Sequence, residues 1–267
     1  MGLEDRLILL KEPNSPVAES YRSLRAALSR NLTEGKRTFT VVSSWGGEGK
    51  SMVSANLAVA FSQLLMDVVL VDGDLRRPTI SRVFECEDKP GLLNLLQKGG
   101  LAGEHVLPTG IPRLSILPAG SSMENPGDLL GKGGFKQLLA DLRGSADRCV
   151  VIDTSPLSAC SDALLMAPHS DGAIMVVNPE KWQGEAEAHF AQDLEDHGVA
   201  IFGAVLNNAD AKEQTSTYGS GYGYGYGYGY GYGYGSPSRP GSPTAAEATV
   251  EAKGSSWRDF FKRDKQK

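Results

Sequence analysis

Short runs of apolar residues recur along roughly the first 210 positions, and polar or glycine-rich segments separate them. The runs consist almost entirely of aliphatic and β-branched residues, which is typical of strands that are buried on both faces of a parallel sheet. They lie at residues 38–42, 67–72, 114–117, 149–152, 172–177 and 201–206. The pattern predicts a strand at each of these places.

Most of the intervening stretches have apolar residues three or four positions apart, the spacing of an amphipathic helix. Helices are predicted over residues 15–30, 52–65, 135–142 and 184–196. In the first of them Ser15 suits the N-cap and Pro16 the first turn. Strands that alternate with helices indicate an α/β domain, in which helices flank a mostly parallel β-sheet.

The pattern ends near Asn208, and the composition then changes. Residues 211–256 are rich in glycine, serine, proline, threonine and alanine, so we predict a disordered tail with too few core-forming side chains to fold. Residues 257–267 differ again, because they combine three aromatic with five basic side chains. The chain therefore divides into a domain at 1–210, a tail at 211–256 and a basic-aromatic end at 257–267.

Charge and composition exclude several classes of protein. Residues 1–217 have a net charge of −8 and residues 218–267 a net charge of +3, which argues against nucleic-acid binding by the folded domain. No apolar stretch approaches the roughly 18 residues that span a bilayer, and the first residues lack the layout of a secretory signal. The three cysteines are scattered, as expected in a reducing cytoplasm.

A glycine-rich turn follows the first predicted strand and opens the second predicted helix. It contains Gly46, Gly47, Glu48, Gly49, Lys50, Ser51 and Met52. In such a P-loop, backbone N–H groups and a helix N-terminus surround a phosphate, and a lysine adds a point charge. Ser44 stands where the strict motif has glycine. A simple helix-initiating turn is therefore the alternative interpretation.

Three aspartates lie at the ends of two predicted strands. Asp72 and Asp74 follow the second strand and Asp153 follows the fourth. Because the carboxyl ends of parallel strands share one edge of the sheet, these side chains should converge beside the P-loop. Three converging carboxylates favour a hard cation such as Mg²⁺. The alternative for any one of them is a turn or a helix cap.

Two of these segments carry a resemblance to a known family. Leu70–Pro78 and Val151–Leu157 resemble the second and third nucleotide motifs of the bacterial tyrosine kinases (BY-kinases), which are P-loop autokinases that regulate capsule and exopolysaccharide synthesis. Further similar segments are Ser15-Pro16 with Glu19, Arg22 and Arg25, then residues 117–120, 125–130 and 205–207. Together they span roughly residues 10–210.

The resemblance implies a role for individual residues. Lys50 would contact the β- and γ-phosphates of ATP, and Asp72 would act as the base or orienting group for a tyrosine hydroxyl. Mg²⁺ would be held by Ser51, Asp74 and Asp153. The nucleotide-binding set would be Gly46, Gly47, Glu48, Gly49, Lys50, Ser51, Met52 and, near the adenine, Asn207.

The family also packs into rings, and the resemblance places the ring contact on Glu19, Arg22 and Arg25. The alternative is ordinary charge pairing at i,i+3 on a solvated helix face. The chain departs from the family at Gly46, which follows Trp45 and replaces the usual proline, and at Asn178, where arginine is more usual. The acidic helix predicted at 184–196 has no explanation in the sequence.

Eight of the nine tyrosines fall within seventeen residues of the tail, mostly alternating with glycine. They are Tyr218, Tyr222, Tyr224, Tyr226, Tyr228, Tyr230, Tyr232 and Tyr234. Beside a phosphate site, such a segment offers many near-equivalent phosphate acceptors at high local concentration. The alternative is a low-complexity segment that drives self-association.

These observations predict a cytoplasmic, Mg²⁺- and ATP-dependent protein-tyrosine autokinase that forms a homo-oligomer. The resemblance implies a separate transmembrane activator from the machinery of polysaccharide chain length, which would recruit the kinase to the inner face of the membrane. Residues 257–267 could add a peripheral contact to an anionic membrane, or be a solvated tail. Two other functions stay open: a partition-type P-loop ATPase and a non-catalytic tyrosine-rich scaffold.

Overall fold

A computed structural model describes residues 2–120, 123, 125–144, 148–209 and 247–251. The helices are α1 Leu3–Arg6, α2 Ile8–Lys11, α3 Pro16–Thr33, α4 Lys50–Ser62, α5 Thr79–Val83, α6 Leu92–Lys98, α7 Gly127–Leu130, α8 Gly134–Arg143, α9 Asp162–Met166 and α10 Glu185–Asp196. The strands are β1 Thr38–Ser43, β2 Val68–Asp72, β3 Leu107–Pro108, β4 Leu114–Leu117, β5 Cys149–Asp153, β6 Gly172–Val177, β7 Ile201–Ala209 and β8 Glu247–Glu251.

The described strands form one sheet in the order β3-β4-β2-β5-β1-β6-β7-β8. The pairs from β4 to β7 are all parallel, whereas β3 and β8 pair antiparallel at the two edges. The first strand, β1, lies between β5 and β6 near the middle of the sheet. The P-loop that follows β1 is therefore placed at the centre of the carboxyl edge.

Helices cover both faces of the sheet, because the buried strands are apolar on both sides. Phe39 and Val41 of β1 pack with α3 and α4 in one core cluster, and Leu70 of β2 joins them. Val69 and Val71 point to the opposite face and pack with α6 and α8. The alternation along each strand follows from its two-residue period. The predicted α/β class is confirmed.

The structure describes one short strand beyond residue 209. Residues Glu247–Glu251 form β8, whose backbone pairs with β7 from Ala204 to Ala209. The segment contains the β-branched pair Thr249-Val250, and β7 presents a sheet edge that another strand can extend. These five residues lie within the predicted tail and extend the sheet at its β7 edge. The rest of 211–256 lies outside the described residues.

Within the described residues, none of the helices combines the length and the apolar character needed to cross a membrane.

Candidate active site

The P-loop is built by glycines in a backbone conformation that other residues rarely adopt. Gly47 has φ of +76° and Gly49 has φ of +87°. Gly49 is also the N-cap of α4, a helix of thirteen residues whose N-terminal N–H groups face the loop. A Cβ atom at Gly49 would lie 2.0 Å from Nδ2 of Asn207, which donates to the carbonyl oxygen of Glu48 at 2.8 Å. The end of β7 therefore contacts the loop directly.

Lys50, the first residue of α4, is buried and forms an ion pair across the sheet edge. Its Nζ atom lies 2.9 Å from Oδ1 of Asp153, the last residue of β5. Ser54, one helical turn after Lys50, donates to the same oxygen at 3.1 Å. Oδ2 of Asp153 is buried and has no hydrogen-bond partner. The carboxylate thus has one oxygen fixed and one free to accept a ligand.

Asp72 lies in register with Asp153 on the neighbouring strand, as the parallel sheet predicts. Its Oδ2 atom accepts hydrogen bonds from the backbone N–H of Ser81 at 2.6 Å and from the Ser81 hydroxyl at 2.7 Å, whereas Oδ1 has no partner. Burial and the charge of Asp153 raise the pKa of Asp72 to about 7. A buried carboxylate with a pKa near neutrality suits a proton acceptor.

Asp74 follows two residues later and is held by different groups. Its Oδ1 atom accepts from the Ser155 hydroxyl at 2.8 Å and from the backbone N–H of Arg77 at 3.0 Å. Burial raises the pKa of Asp74, while the Ser155 hydrogen bond and the nearby Lys50 ammonium oppose that rise. Gly73 between the two aspartates permits close strand contact, since a Cβ there would lie 2.4 Å from the carbonyl oxygen of Asp153.

This arrangement fits a magnesium nucleotide. The glycine turn and the start of α4 form a cradle for phosphate, and Lys50 supplies the positive charge. The partnerless oxygens of Asp72 and Asp153 are buried acceptors of the kind that a cation or a metal-bound water would satisfy. Among the described residues no group of three His, Cys, Asp or Glu side chains could hold a metal by itself. Mg²⁺ usually takes only one or two carboxylates and completes its shell with phosphate and water.

A fourth buried carboxylate, that of Glu48, accepts backbone hydrogen bonds within and beside the loop. Glu48 is buried, and its Oε2 atom accepts the backbone N–H of Trp45 at 2.7 Å while Oε1 accepts that of Asn178 at 3.1 Å. Burial raises the pKa of Glu48, and these backbone hydrogen bonds oppose the rise. The departure from the family at Asn178 thus lies beside the phosphate loop.

The other predicted nucleotide residues occupy expected positions with less specific contacts. Ser51 and Met52 form the first turn of α4 and are half-buried, and Met52 packs against the core. Gly46 is exposed, and its carbonyl oxygen accepts from Nζ of Lys181 at 2.7 Å. Their roles toward a nucleotide stay predictions.

The three predicted ring residues lie on α3 and make contacts within the chain. Arg22 pairs with Glu19 at 2.9 Å, the i,i+3 pairing expected of a solvated helix face. Arg25 donates to the carbonyl oxygen of Ala60 at 3.0 Å and so joins α3 to α4. The structure therefore shows a local role for each, and the ring contact stays a prediction. The eight clustered tyrosines and residues 257–267 lie outside the described residues.

Four residues of the site were not found from the sequence: Ser54, Ser81, Ser155 and Glu187. Ser54 could have been found, because it lies four positions after Lys50 on the same helix face. Glu187 also left a signal, since it precedes Ala191 and Leu194 at helical spacing on the buried face of α10. Its carboxylate accepts the indole N–H of Trp45 at 2.9 Å. Ser81 and Ser155 meet their aspartates only through the fold.

The close approach of Gly49 to Asn207 gives a testable consequence. The substitution Gly49→Ala adds a Cβ into the Asn207 amide at a positive φ, so we expect nucleotide affinity to fall by at least about tenfold, the equivalent of about 1.4 kcal/mol. Isothermal titration with Mg-ADP measures it. Gly35→Ala is the matched control, because Gly35 has φ of +78° but open space at its Cβ position. Equal affinity for Gly49→Ala and the unmodified protein would contradict the assignment.

Fold and site together define a P-loop NTPase of the ParA class. A family model described as ParA, NUBPL iron-transfer P-loop NTPase, matches residues 34–217. The archaeal septum-site protein MinD of Pyrococcus horikoshii, solved with Mg-ADP, is a structural neighbour at 27% identity and a TM-score of 0.56, covering 64% of this chain and 70% of its own. Neighbours of this class thus bind magnesium and a nucleotide.

Two tyrosine kinases that resemble the chain over more of its length identify a family within this class. Tyrosine-protein kinase YwqD of Bacillus subtilis is 30% identical over 218 residues, which are 81% of this chain and 91% of the relative. The kinase domain of the Escherichia coli tyrosine kinase ETK superposes with a TM-score of 0.72 at 26% identity, over 82% of this chain and 84% of that one. The chain belongs to the bacterial tyrosine kinase family, and it is a protein-tyrosine kinase.

Proposed function

We propose that the chain is a Mg²⁺- and ATP-dependent autokinase whose acceptors are the eight tyrosines between Tyr218 and Tyr234. The observation that carries this proposal is the course of β7. Asn207 of β7 contacts the P-loop, and the strand ends two residues later at Ala209, from which the chain continues toward the tyrosines. The described chain that leads toward the acceptor tyrosines therefore ends close to the phosphate loop.

The backbone pairing of β8 with β7 also supports the tyrosines between them as acceptors. Glu247 pairs with Ala209, so the chain leaves the sheet and returns to it at one place. From Asn208 to Tyr218 is ten residues, a reach of at most roughly 35 Å when fully extended. That reach covers the chain's own pocket and that of a close neighbour. We propose transfer between subunits of an oligomer.

The residues divide the chemistry of phosphoryl transfer among them. The P-loop N–H groups and Lys50 bind the phosphates and balance the charge that builds on the transferred group. Ser51, Asp74 and Asp153 would hold Mg²⁺, which when bound neutralises phosphate charge. Asp72 has a buried, partnerless Oδ1 atom that can orient a tyrosine hydroxyl and accept its proton. Asn207 positions Glu48 and would lie toward the base.

The wider role rests on the family. We propose that the kinase regulates exopolysaccharide or capsule synthesis and export, in the cytoplasm at the inner membrane face, with a transmembrane activator. Ring assembly through Glu19, Arg22 and Arg25 belongs to the same proposal. Glu19 is exposed and Arg22 partly so, and the two are close to each other, so a neighbouring subunit could share their charges.

One assay tests the proposed reaction. Purified protein is incubated with Mg²⁺ and γ-labelled ATP, and label on protein is compared with label in free phosphate. Lys50→Met and a variant with phenylalanine at all eight clustered tyrosines should each lose the protein label. Tyr21, the remaining tyrosine, is buried with its pKa raised to about 12, so it should not accept label.

Mixing the two variants tests transfer between chains. The phenylalanine variant keeps an intact pocket, and Lys50→Met keeps the acceptors, so label on the Lys50→Met chain requires transfer from the other chain. Label in free phosphate alone would instead indicate a partition-type ATPase. If label appeared neither on protein nor in free phosphate, with the activator present, the chain would be a non-catalytic scaffold.

A further inference from the structure

The indole of Trp45 joins the P-loop to helix α10. Its Nε1 atom donates to Oε1 of Glu187 at 2.9 Å, and its ring packs edge-on against Phe190 with centroids 5.9 Å apart. Glu187 is fully buried, whereas the other acids of α10 are exposed or half-buried. Its second oxygen accepts the backbone N–H of Gln183 at 3.1 Å. Both oxygens of this buried carboxylate are therefore satisfied.

Further hydrogen bonds tie the same segment to the loop. The backbone N–H of Asn178 donates to Glu48, and the ammonium of Lys181 donates to the carbonyl oxygen of Gly46 at 2.7 Å. Residues 178–187 thus contact the loop at Trp45, Gly46 and Glu48.

The loop needs such support because of its composition. Gly46 and Gly47 adjoin Trp45, and glycine loses more conformational freedom on ordering than any other residue. A loop that is ordered before the nucleotide arrives does not incur this cost during binding. A buried carboxylate held by two hydrogen bonds gives a rigid acceptor for the indole N–H.

We propose that Glu187 is a positioning residue for nucleotide binding, which acts through the Trp45 indole to hold the P-loop in its phosphate-binding conformation. This gives a role to one acid of the helix that the sequence left unexplained. The inference rests on nucleotide binding at the P-loop and is independent of which tyrosines accept phosphate.

Nucleotide titration of the full chain tests the proposal. Trp45→Phe removes the N–H but keeps an aromatic ring for Phe190, and Glu187→Ala removes the acceptor. We expect each to weaken Mg-ADP binding about tenfold and to raise KM for ATP by a similar factor, with kcat changed less than about threefold. Glu187→Gln, which keeps one carbonyl acceptor, should recover part of the affinity.

The double variant identifies the route of the effect. If both side chains act through one hydrogen bond, Trp45→Phe combined with Glu187→Ala should bind no more weakly than the weaker single variant. Asp196→Asn is the matched control, since this acid lies exposed at the far end of α10 and accepts a hydrogen bond from the side chain of Gln192 at 2.8 Å.

Stability is followed by urea denaturation, so that a folding defect is separated from a loop defect. Should Glu187→Ala fail to fold, Trp45→Phe and Glu187→Gln carry the test. Unchanged Mg-ADP affinity in Trp45→Phe would overturn the proposal whatever its stability. So would losses that multiply in the double variant, because they would show two independent roles.

Discussion

Lys50→Met should reduce the rate of autophosphorylation by at least about a hundredfold, the effect of removing one charge-stabilising group from a phosphoryl-transfer site. Lys50 is the first residue of α4, and its ammonium is buried beside the carboxyl end of β5, next to the P-loop. The methionine side chain preserves length and packing but removes the charge. Single-turnover transfer of label from γ-labelled ATP measures the loss.

The same substitution should also lower stability in the absence of nucleotide. Lys50 pairs with Asp153 at 2.9 Å, and both side chains are buried, so removing the ammonium leaves a buried carboxylate without its partner. Breaking a buried ion pair in this way costs roughly 3–5 kcal/mol. The assay temperature must therefore lie well below the melting temperature of the variant, which circular dichroism gives.

Ser54→Ala separates the two consequences of Lys50→Met. Ser54 donates to the same oxygen of Asp153 from the same face of α4, but it lies one turn further from the loop. Its loss removes one donor to Asp153 without removing charge from the phosphate cradle, so we expect at most about a tenfold change in rate, the lower end of the scale of one hydrogen bond to a charged group. If Ser54→Ala were as inactive as Lys50→Met, Lys50 would act through Asp153 and not on the phosphate.

The sequence predicted the central sheet well because its strands are buried on both faces. Continuous apolar runs predicted β1, β2, β4, β5, β6 and β7 to within a few residues, whereas the described strands β3 and β8 were not predicted. β3 has two residues, and β8 depends on pairing with a distant strand. The local sequence pattern indicates neither β3 nor β8, because the partner strand decides whether an edge segment pairs.

The candidate site shows the same division between local and long-range information. Lys50 and Ser51 were found from a continuous motif, and the strand ends predicted that Asp72 and Asp153 would lie together. The strand order was not predicted, yet β2 and β5 are neighbours and the two aspartates lie in register. The helix α4 begins at Lys50, two residues before the predicted start, because Gly49 in a left-handed conformation serves as its N-cap.

Contacts between side chains distant in sequence were the part that pattern could not supply. Ser81 reaches Asp72 across nine residues and Ser155 reaches Asp74 across eighty-one. Serines at turns are common, so neither position stands out in a single sequence. Glu187 is different, because an acid on the buried face of a helix conflicts with its surroundings and needs a buried donor. A polar residue on a buried helix face therefore indicates a functional or structural contact at that position.

Asp72→Asn should lower kcat by about a hundredfold or more, within the 10²–10⁴ range that positioned acid–base groups contribute. Asparagine is almost the same size, and its carbonyl oxygen can accept both hydrogen bonds from Ser81, with the amide on the side of the present Oδ1 atom. The geometry is therefore kept, whereas the proton acceptor is lost. KM for ATP should change little, because Asp72 serves the tyrosine hydroxyl.

Stability distinguishes this loss from a folding defect. Burial and the charge of Asp153 raise the pKa of Asp72, which means that the ionised carboxylate is unfavourable in the folded protein. Removing the charge should leave the melting temperature unchanged or raise it, so an inactive but equally stable Asp72→Asn is the expected result.

Ser81→Ala is the control for the orientation of the Asp72 carboxylate. It removes one of two donors to Asp72 while the backbone N–H of Ser81 remains, so kcat should fall by about tenfold, the lower end of what one hydrogen bond to a charged group contributes. Asp72→Asn with kcat close to that of the unmodified enzyme would exclude this carboxylate as the base, and orientation of the hydroxyl would then fall to the P-loop and the metal ligands.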